Sequence, residues 1–353
     1  MSGPARADAT AAAARDDTPP WPSGDGILAA TETAIARAAA YLRDGRLVAF
    51  PTETVYGLGA DASNAHAVRR IFAAKGRPAD HPVIVHLADA VDAARWTRDI
   101  PAPARALADA FWPGPLTLIL PRAQHVHDGV TGGQDTVGLR VPSHPVARAL
   151  LAAFGGGIAA PSANRFGHVS PTSAAHVAAD LGDKPALILD GGVCAVGIES
   201  TIVAFRGDVA LLLRPGGIGI AELTQVLGRA PLDADADAPR ASGTLASHYA
   251  PKTPASLLPA DVLRAELAQL LARDEVVGVL ARTLEPPDEF DGAWIAGARD
   301  PATYAHDLYA HLRALDAADA DALLIEDVPH DAAWLAIRDR LERATHGEDD
   351  DRD

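Results

Sequence analysis

The residues with chemical capacity fall in a few short segments. Lys75-Gly76-Arg77-Pro78 sets two cations either side of a glycine. Arg can grip a phosphate with two bonds, and Lys supplies a point charge. The glycine bends the chain and the proline stiffens it, which holds the cations as a pair. Cations at a helix C-terminus also complement the helix dipole, so the segment reads as a polyphosphate clamp or as ordinary helix-end charge. Pro51-Thr52-Glu53-Thr54-Val55-Tyr56-Gly57-Leu58-Gly59 follows a short apolar strand and leaves through two glycines. Its hydroxyls at Thr52, Thr54 and Tyr56 would stand at a strand end, where open α/β sheets bind ligands, and suit a small polar substrate such as an amino acid. The alternative is a turn closed by local Thr–backbone bonds. Pro161-Ser162-Ala163-Asn164 places Ser and Asn two apart, a spacing that points both the same way in extended chain. They could bond phosphate oxygens, hold a water on magnesium, or form an Asx or Ser turn.

Single residues add to these. Arg140 ends Thr136-Val137-Gly138-Leu139-Arg140, and Arg214 ends Leu211-Leu212-Leu213-Arg214. They are surface punctuation or, with Lys75 and Arg77, cations converging on one pocket. His86, within Val83-Ile84-Val85-His86-Leu87, reads as a satisfied core histidine. Glu199-Ser200-Thr201 offers further hydroxyls. Cys194 is the single cysteine and reads as a small buried residue. It excludes an intramolecular disulfide and any four-ligand Cys/His zinc site, and suits a reducing compartment. Gly-X-Gly and Walker patterns are absent, so ATP would need loop chemistry other than a P-loop.

The elements that must position these residues follow from periodicity. Helical spacing of Ala, Ile and Leu over 31–43, closed by Asp44-Gly45, predicts a helix. Asn64 caps a second helix that runs to 74, and Gly76 ends it. Further helices are expected over 103–111, 145–154, 172–181 and 218–227. Strands are expected over 47–50, 83–87, 116–120, 137–141, 158–160, 186–189, 201–205 and 210–213, the last two as an antiparallel pair. Residues 27–227 thus form one α/β domain with a mixed sheet. Residues 228–254 have little periodicity and a linker composition, and a connection of that length is disordered or functional. Beyond it, strands over 255–258, 276–280 and 322–326 and helices over 260–273, 301–315 and 332–343 make a smaller α/β unit of open parallel character. That unit has no glycine-rich phosphate fingerprint.

Bulk properties bound the function. The chain of 353 residues is comfortable for two domains, and 48% hydrophobic with 22% charged residues is a globular mixture. Lys plus Arg number 31 against 47 Asp plus Glu, a formal charge of −16, which repels nucleic acid and phosphates. Any polyanion site must therefore be a local basic cluster. Residues 1–26 read as a disordered lead-in rather than a signal peptide, and 346–353 as an acidic tail. No apolar run approaches the ~18 residues of a membrane span. A cytoplasmic location is expected.

In order and spacing these segments resemble the threonylcarbamoyl-AMP synthase family, in its long form with an N-terminal YrdC-like domain and a C-terminal Sua5 domain. The matching text is PTETVYGLG at 51–59, KGRP at 75–78, HPVIVHL at 81–87, WPGPLTLIL at 112–120, VGLRVP at 137–142, PSAN at 161–164, GIESTIV at 197–203, LLRPGGI at 212–218 and SHYAP at 247–251. The resemblance implies a twisted mixed sheet with flanking helices over 27–227, a linker or lid at 228–254, and a Rossmann-like α/β domain over 255–345. It implies that L-threonine, bicarbonate or CO2 and ATP are joined to give threonylcarbamoyl-AMP and pyrophosphate. The product would pass to the tRNA threonylcarbamoyl transferase complex for adenosine 37 of tRNAs reading ANN codons. Weak direct tRNA binding would accompany this.

Site residues follow from the same resemblance. Thr54, His86, Arg140, Ala160 and Ser200 would hold threonine, with the Arg140 cation matching its carboxylate. Arg77, His81, Thr136, Ser162, Ser170, Arg214 and Tyr249 would hold ATP, with Tyr249 folding back from the linker as a lid. Lys75 and Arg77, with Ser162 and Asn164, form the KxR and SxN pairs of the catalytic cleft. Mg2+ would be carried by the ATP phosphates rather than by protein ligands. His81 stands where many relatives carry Asn, and ASGTLASHYAP at 241–251 replaces a common version containing Met and Lys.

Competing classes are a nucleic-acid-binding module, another carbamoyl or acyl adenylate enzyme, and a domain with the fold but no synthase activity. The net charge argues against the first, because affinity for phosphate backbones rests on cations. Substrate dependence separates the second. The retained KxR and SxN pairs and the C-terminal domain argue against the third.

Overall fold

The structure, a computed structural model, describes residues 24–245 and 247–346. The lead-in and acidic tail lie outside the described residues, apart from 24–26 and 346.

The helices begin and end where local chemistry dictates. Thr31 accepts from the Ala34 amide to cap Glu32–Arg43. Asn64 Oδ1 accepts from the amides of His66 and Ala67 to cap Ala65–Lys75, and Gly76 closes that helix at φ 66°. That left-handed turn is the one glycine enters at no steric cost. It sends Arg77 away from the helix axis.

Among the described residues, the first unit holds an 11-stranded mixed sheet. Its spatial order is Ile27–Ala29, Leu187–Asp190, Val48–Phe50, Gly57–Asp61, Ile158–Ala159, Ile84–His86, Thr136–Arg140, Leu116–Pro121, Thr201–Arg206, Val209–Arg214 and Leu232–Asp233. The last full-length pair is antiparallel, as expected. Gly57–Asp61 is a strand rather than the loop exit expected, pairing antiparallel with Val48–Phe50. Its glycines allow close packing: a Cβ on Gly59 would meet Ile158 Cγ2 at 2.8 Å and Phe50 Cε1 at 2.9 Å.

Strand alternation divides the sheet's two faces. Val83, Val85 and Leu87 join a core against the helices Ala65–Lys75, Ala102–Phe111, Ala174–Leu181 and Ile220–Leu227. On the opposite face, Val48, Phe50 and Ile158 pack beneath Glu32–Arg43 and Pro145–Phe154. Further along that face, Ile84, Ile119 and Ile202 pack against Ala238 and Ala241. Segment 228–254 is therefore not a free connection. It adds the short strand Leu232–Asp233 to the sheet and then crosses its second face.

The second unit is a parallel sheet of four strands among the described residues, in the order Ala255–Leu258, Ala322–Glu326, Val277–Ala281, Ala293–Ala296. The edge strand Ala293–Ala296 was not anticipated. Helices Ala260–Leu271, Pro301–Asp316 and Leu335–Thr345 flank it. The units share one apolar cluster, in which Val55, Val169 and Ile198 meet Leu308, Tyr309, Ile337 and Leu341.

Candidate active site

Ile84 and His86 lie two apart on one strand and so face the same way. Both line a small cavity of about 50 Å3. Around them stand Thr52 and Thr54 from the turn after Val48–Phe50, Arg77 from the end of Ala65–Lys75, and Arg140 from the end of Thr136–Arg140. Ala160 and Ser162 enter after Ile158–Ala159, Glu199 and Ser200 before Thr201–Arg206, and Arg214 at the end of Val209–Arg214. Ser242, Gly243, His248 and Tyr249 roof it from the linker. The site therefore lies on the sheet's second face, between the helical cover and the linker. Thr52 and Thr54 stand just beyond the end of Val48–Phe50, as expected, and Arg140, Ala160, Ser200 and Arg214 likewise lie at or next to strand ends.

Three guanidinium groups converge there. Arg140 Nη2 meets Glu53 Oε1 at 2.6 Å, while its Nε is buried with no partner. Arg77 Nη2 donates to the Pro82 carbonyl at 2.9 Å, and its Nε is likewise buried without a partner. Burial pulls the Arg77 pKa down to about 10, which still leaves it charged near neutrality. Arg214 donates to the Ser200 carbonyl from Nε at 3.2 Å and Nη2 at 2.9 Å, and to the Ser242 carbonyl from Nη1 at 2.7 Å. Orphaned buried donors are rare in folded proteins, and these two belong to residues that line one cavity.

The neutral groups lie beside these cations. Burial, then the charge of Arg140, pulls the His86 pKa down to about 3 and keeps the ring neutral. Its Nδ1 has no partner. Ser200 Oγ and Thr117 Oγ1 are 2.8 Å apart. Thr52 Oγ1 accepts from the amides of Thr54 and Val55 at 3.2 Å and lies 2.8 Å from Thr54 Oγ1. Both expected uses of this segment coexist, a local Thr turn and hydroxyls at a cavity.

Several expected residues stand back from the cavity wall. Lys75 Nζ donates to the carbonyls of Ser162 and Asn164, each at 2.6 Å, and to Asn164 Oδ1 at 3.4 Å. An ammonium has three protons, so all are committed to the protein. Lys75 anchors the Ser162–Asn164 turn while Arg77, beyond the Gly76 bend, reaches the cavity. Asn164 Nδ2 donates to the carbonyls of Arg165 and His168, which ties the same turn. Tyr56 Oη donates to the Gly192 carbonyl at 2.8 Å and does not face the site. Ser170 Oγ donates to Glu199 Oε1 at 2.6 Å. Thr136 lies at the far end of its strand from Arg140. His81 sits beside Asp80 at 3.8 Å and edge-on to Phe166.

The roof is held firmly. Tyr249 is 1% exposed and takes φ 64°, stacked on Tyr309 with centroids 5.6 Å apart. Gly243 lies against it, where a Cβ would come within 2.2 Å of Tyr249 Oη. Burial also pulls the His248 pKa down to about 3.

Residues 40–216 match a family model described as telomere recombination, and residues 218–346 match one described as threonylcarbamoyl-AMP synthase, C-terminal domain. Over 325 residues the chain is 40% identical to a threonylcarbamoyl-AMP synthase of Pyrococcus abyssi, covering 89% of this chain and 94% of that one. The chain belongs to the threonylcarbamoyl-AMP synthase family. The Bacillus subtilis threonylcarbamoyl-AMP synthase is 41% identical over 330 residues, covering 91% of this chain and 95% of its own. The crystal structure of P. abyssi Sua5 complexed with L-threonine superposes with TM-score 0.83 at 38% identity, covering 91% of this chain and 96% of that one.

Sequence reasoning about this threonylcarbamoyl-AMP synthase family member missed Glu53, Glu199, Ser242 and His248. Glu53 and Glu199 lie inside motifs read for their hydroxyls, and a carboxylate beside clustered cations carries no signal by itself. His248 adjoined the quoted Tyr249. Ser242 had no signal, because its contacts arise only when the linker crosses the sheet.

Proposed function

We propose that this protein is an L-threonylcarbamoyladenylate synthase, which joins L-threonine, bicarbonate or CO2 and ATP to give threonylcarbamoyl-AMP and pyrophosphate. The observation that carries the reading is the convergence of Arg77, Arg140 and Arg214 with neutral His86 on one buried cavity. It sits in a chain whose family relatives bear that name over most of their length.

The geometry supports a division of labour. Arg140, held on one side by Glu53, offers its free Nε edge to the threonine carboxylate. Thr54, His86, Ala160 and Ser200 complete the amino-acid side. Arg77, Arg214 and Ser162 make the triphosphate side, roofed by Tyr249, while nucleoside roles for Thr136, Ser170 and His81, which stand back from the cavity, rest on the family resemblance. Lys75 and Asn164 support Ser162 rather than touch phosphate. The neutral threonine amine attacks the carbon of CO2 or bicarbonate, forming an N–C bond; with CO2 the nitrogen gives up a proton to solvent, and from bicarbonate water leaves. A carbamate oxygen then attacks the α-phosphorus, forming an O–P bond as the Pα–O bond to pyrophosphate breaks. Negative charge grows on the leaving phosphates, where Arg77 and Arg214 stabilise it. No side-chain nucleophile is needed, in keeping with Cys194, whose thiol burial pushes up to about 12. Mg2+ would arrive on the ATP phosphates and share in neutralising their charge.

The cavity of about 50 Å3 is far below the ~300–1,000 Å3 of ordinary ligand sites. Substrate entry must therefore lift Ser242 and Tyr249, and their return shields a carbamate that is labile in water. The product would supply the threonylcarbamoyl group of tRNA adenosine through a partner transferase. Mass spectrometry of the reaction with 13C-bicarbonate tests the reading. It is supported by a threonine-containing adenylate carrying one 13C atom. It fails if AMP or ADP forms with no labelled adduct.

A further inference from the structure

Glu199 is a buried carboxylate to which the site chemistry assigns no task. It lines the cavity immediately before Ser200, yet one of its two oxygens is held by the C-terminal domain. Oε2 accepts from Tyr309 Oη at 2.8 Å and from Arg340 Nε at 2.9 Å. Oε1 accepts from Ser170 Oγ at 2.6 Å. Tyr309 and Arg340 belong to Pro301–Asp316 and Leu335–Thr345, the two helices turned toward the first unit. Burial pushes the Glu199 pKa up, but Arg340, Arg214 and its hydrogen bonds outweigh this and hold it at about 2. The carboxylate is therefore charged in the folded protein.

The same two C-terminal side chains reach other parts of the site. Arg340 is wholly buried and donates from Nη2 to the Pro215 carbonyl at 3.0 Å, directly after Arg214. Its guanidinium also stands 5.2 Å over the Tyr249 ring, which stacks on Tyr309. The His248 amide donates to the Arg343 carbonyl on the same last helix. The backbone leaves no slack between units, since a Cβ on Gly197 would come within 2.3 Å of the His306 carbonyl. One charged cluster thus touches Ser170, the Arg214–Pro215 turn and the Tyr249 roof together.

We propose that Glu199 is a positioning residue through which the C-terminal domain, by Tyr309 and Arg340, holds the triphosphate-side groups Arg214 and Tyr249 in register. The second domain is then a brace for nucleotide binding. This rests on the synthase reading above. On the threonine side, Arg140, Glu53 and His86 are not among the hydrogen-bond partners of Glu199 in the described residues, whereas Ser200 adjoins it and accepts from Arg214, so the larger effect is expected on the nucleotide side.

The test is steady-state pyrophosphate release by full-length E199Q, R340M and Y309F, with KM for ATP and for threonine measured separately beside melting temperatures. E199Q keeps the shape and removes the charge. Its kcat/KM for ATP is expected to fall at least about tenfold, the worth of one charge-assisted hydrogen bond, with KM for threonine within about twofold of wild type. The E199Q/R340M double variant should lose less than the sum of the two singles, because both remove the shared Glu199–Arg340 pair. If E199Q does not fold, Y309F, which deletes one hydroxyl, should show the same split at smaller size. Unchanged kinetics overturn the proposal. So does a loss confined to melting temperature and active fraction with both KM values unchanged. Failure of wild-type turnover would instead strike the synthase reading, so the two failures are distinguishable.

Discussion

Arg214 and Ser242 are joined by a 2.7 Å hydrogen bond from guanidinium to linker carbonyl. The guanidinium proposed above to grip a phosphate here grips the chain's own backbone. Ser242 Oγ also donates to the Pro82 carbonyl at 2.8 Å and lies 3.5 Å from Arg77 Nη2. The linker thus sits across both phosphate-side arginines, and substrate must displace it contact for contact.

Gly243 makes that seat possible. Its φ is 76°, and a Cβ would lie 2.2 Å from Tyr249 Oη and 2.8 Å from Arg214 Nη1. Gly243→Ala should unseat the roof, raising trypsin cleavage between 229 and 252 and lowering kcat at least about tenfold. Wild-type cleavage and turnover would show that the roof is not held this way.

Lys75 and Arg77 should separate under mutation although they are two residues apart. Lys75→Met strands the Ser162 and Asn164 carbonyls in a buried turn and should cost roughly 2–4 kcal/mol of stability. Arg77→Ala leaves the Pro82 carbonyl with its Ser242 donor. It should keep a near-wild-type melting temperature and abolish turnover. Calorimetry alongside turnover checks both; a stable, inactive Lys75→Met protein would return Lys75 to the phosphate clamp.

Arg140→Lys retains charge but loses the planar fork shared between Glu53 and ligand. KM for threonine should rise about ten- to a hundredfold, with KM for ATP within about twofold. Equal rises in both would place Arg140 outside a threonine subsite.

His86 and His248 set a pH limit. Each is pulled by burial from the ordinary 6.5 to about 3, so the folded state holds them neutral. Their contribution is complete above pH 6.5. It is lost as pH falls toward 3, because the unfolded chain binds protons that the folded chain refuses. Each costs ~1.4 kcal/mol per pH unit within that window. Melting temperature should fall steeply from pH 6.5 to 5, and less steeply in His248→Asn. A flat profile would mean that neither ring is buried neutral.

Local chemistry was legible in the sequence. Asn64 and Gly76 bound their helix as expected, because caps depend on residues within one turn. Strands Ala255–Leu258 and Ala322–Glu326 match their expected bounds. What escaped was non-local. Val83-Ile84-Val85-His86-Leu87 reads as one apolar run, and only the packed sheet shows Ile84 and His86 facing a cleft while their neighbours face a core. Gly57–Asp61 hid as a strand behind glycines whose use is close packing, not propensity. Glu199 and Tyr309 are 110 residues apart, and no spacing rule spans that. The identity of threonine as substrate came from family resemblance, since a guanidinium beside hydroxyls would suit many carboxylates.

The most direct test of the central claim is pyrophosphate release from ATP by the full-length wild-type protein, with threonine and bicarbonate omitted in turn. Release should require both, falling to background when either is missing once dissolved CO2 is removed. Sustained release without threonine or without bicarbonate would contradict threonylcarbamoyl-AMP synthesis at this cleft.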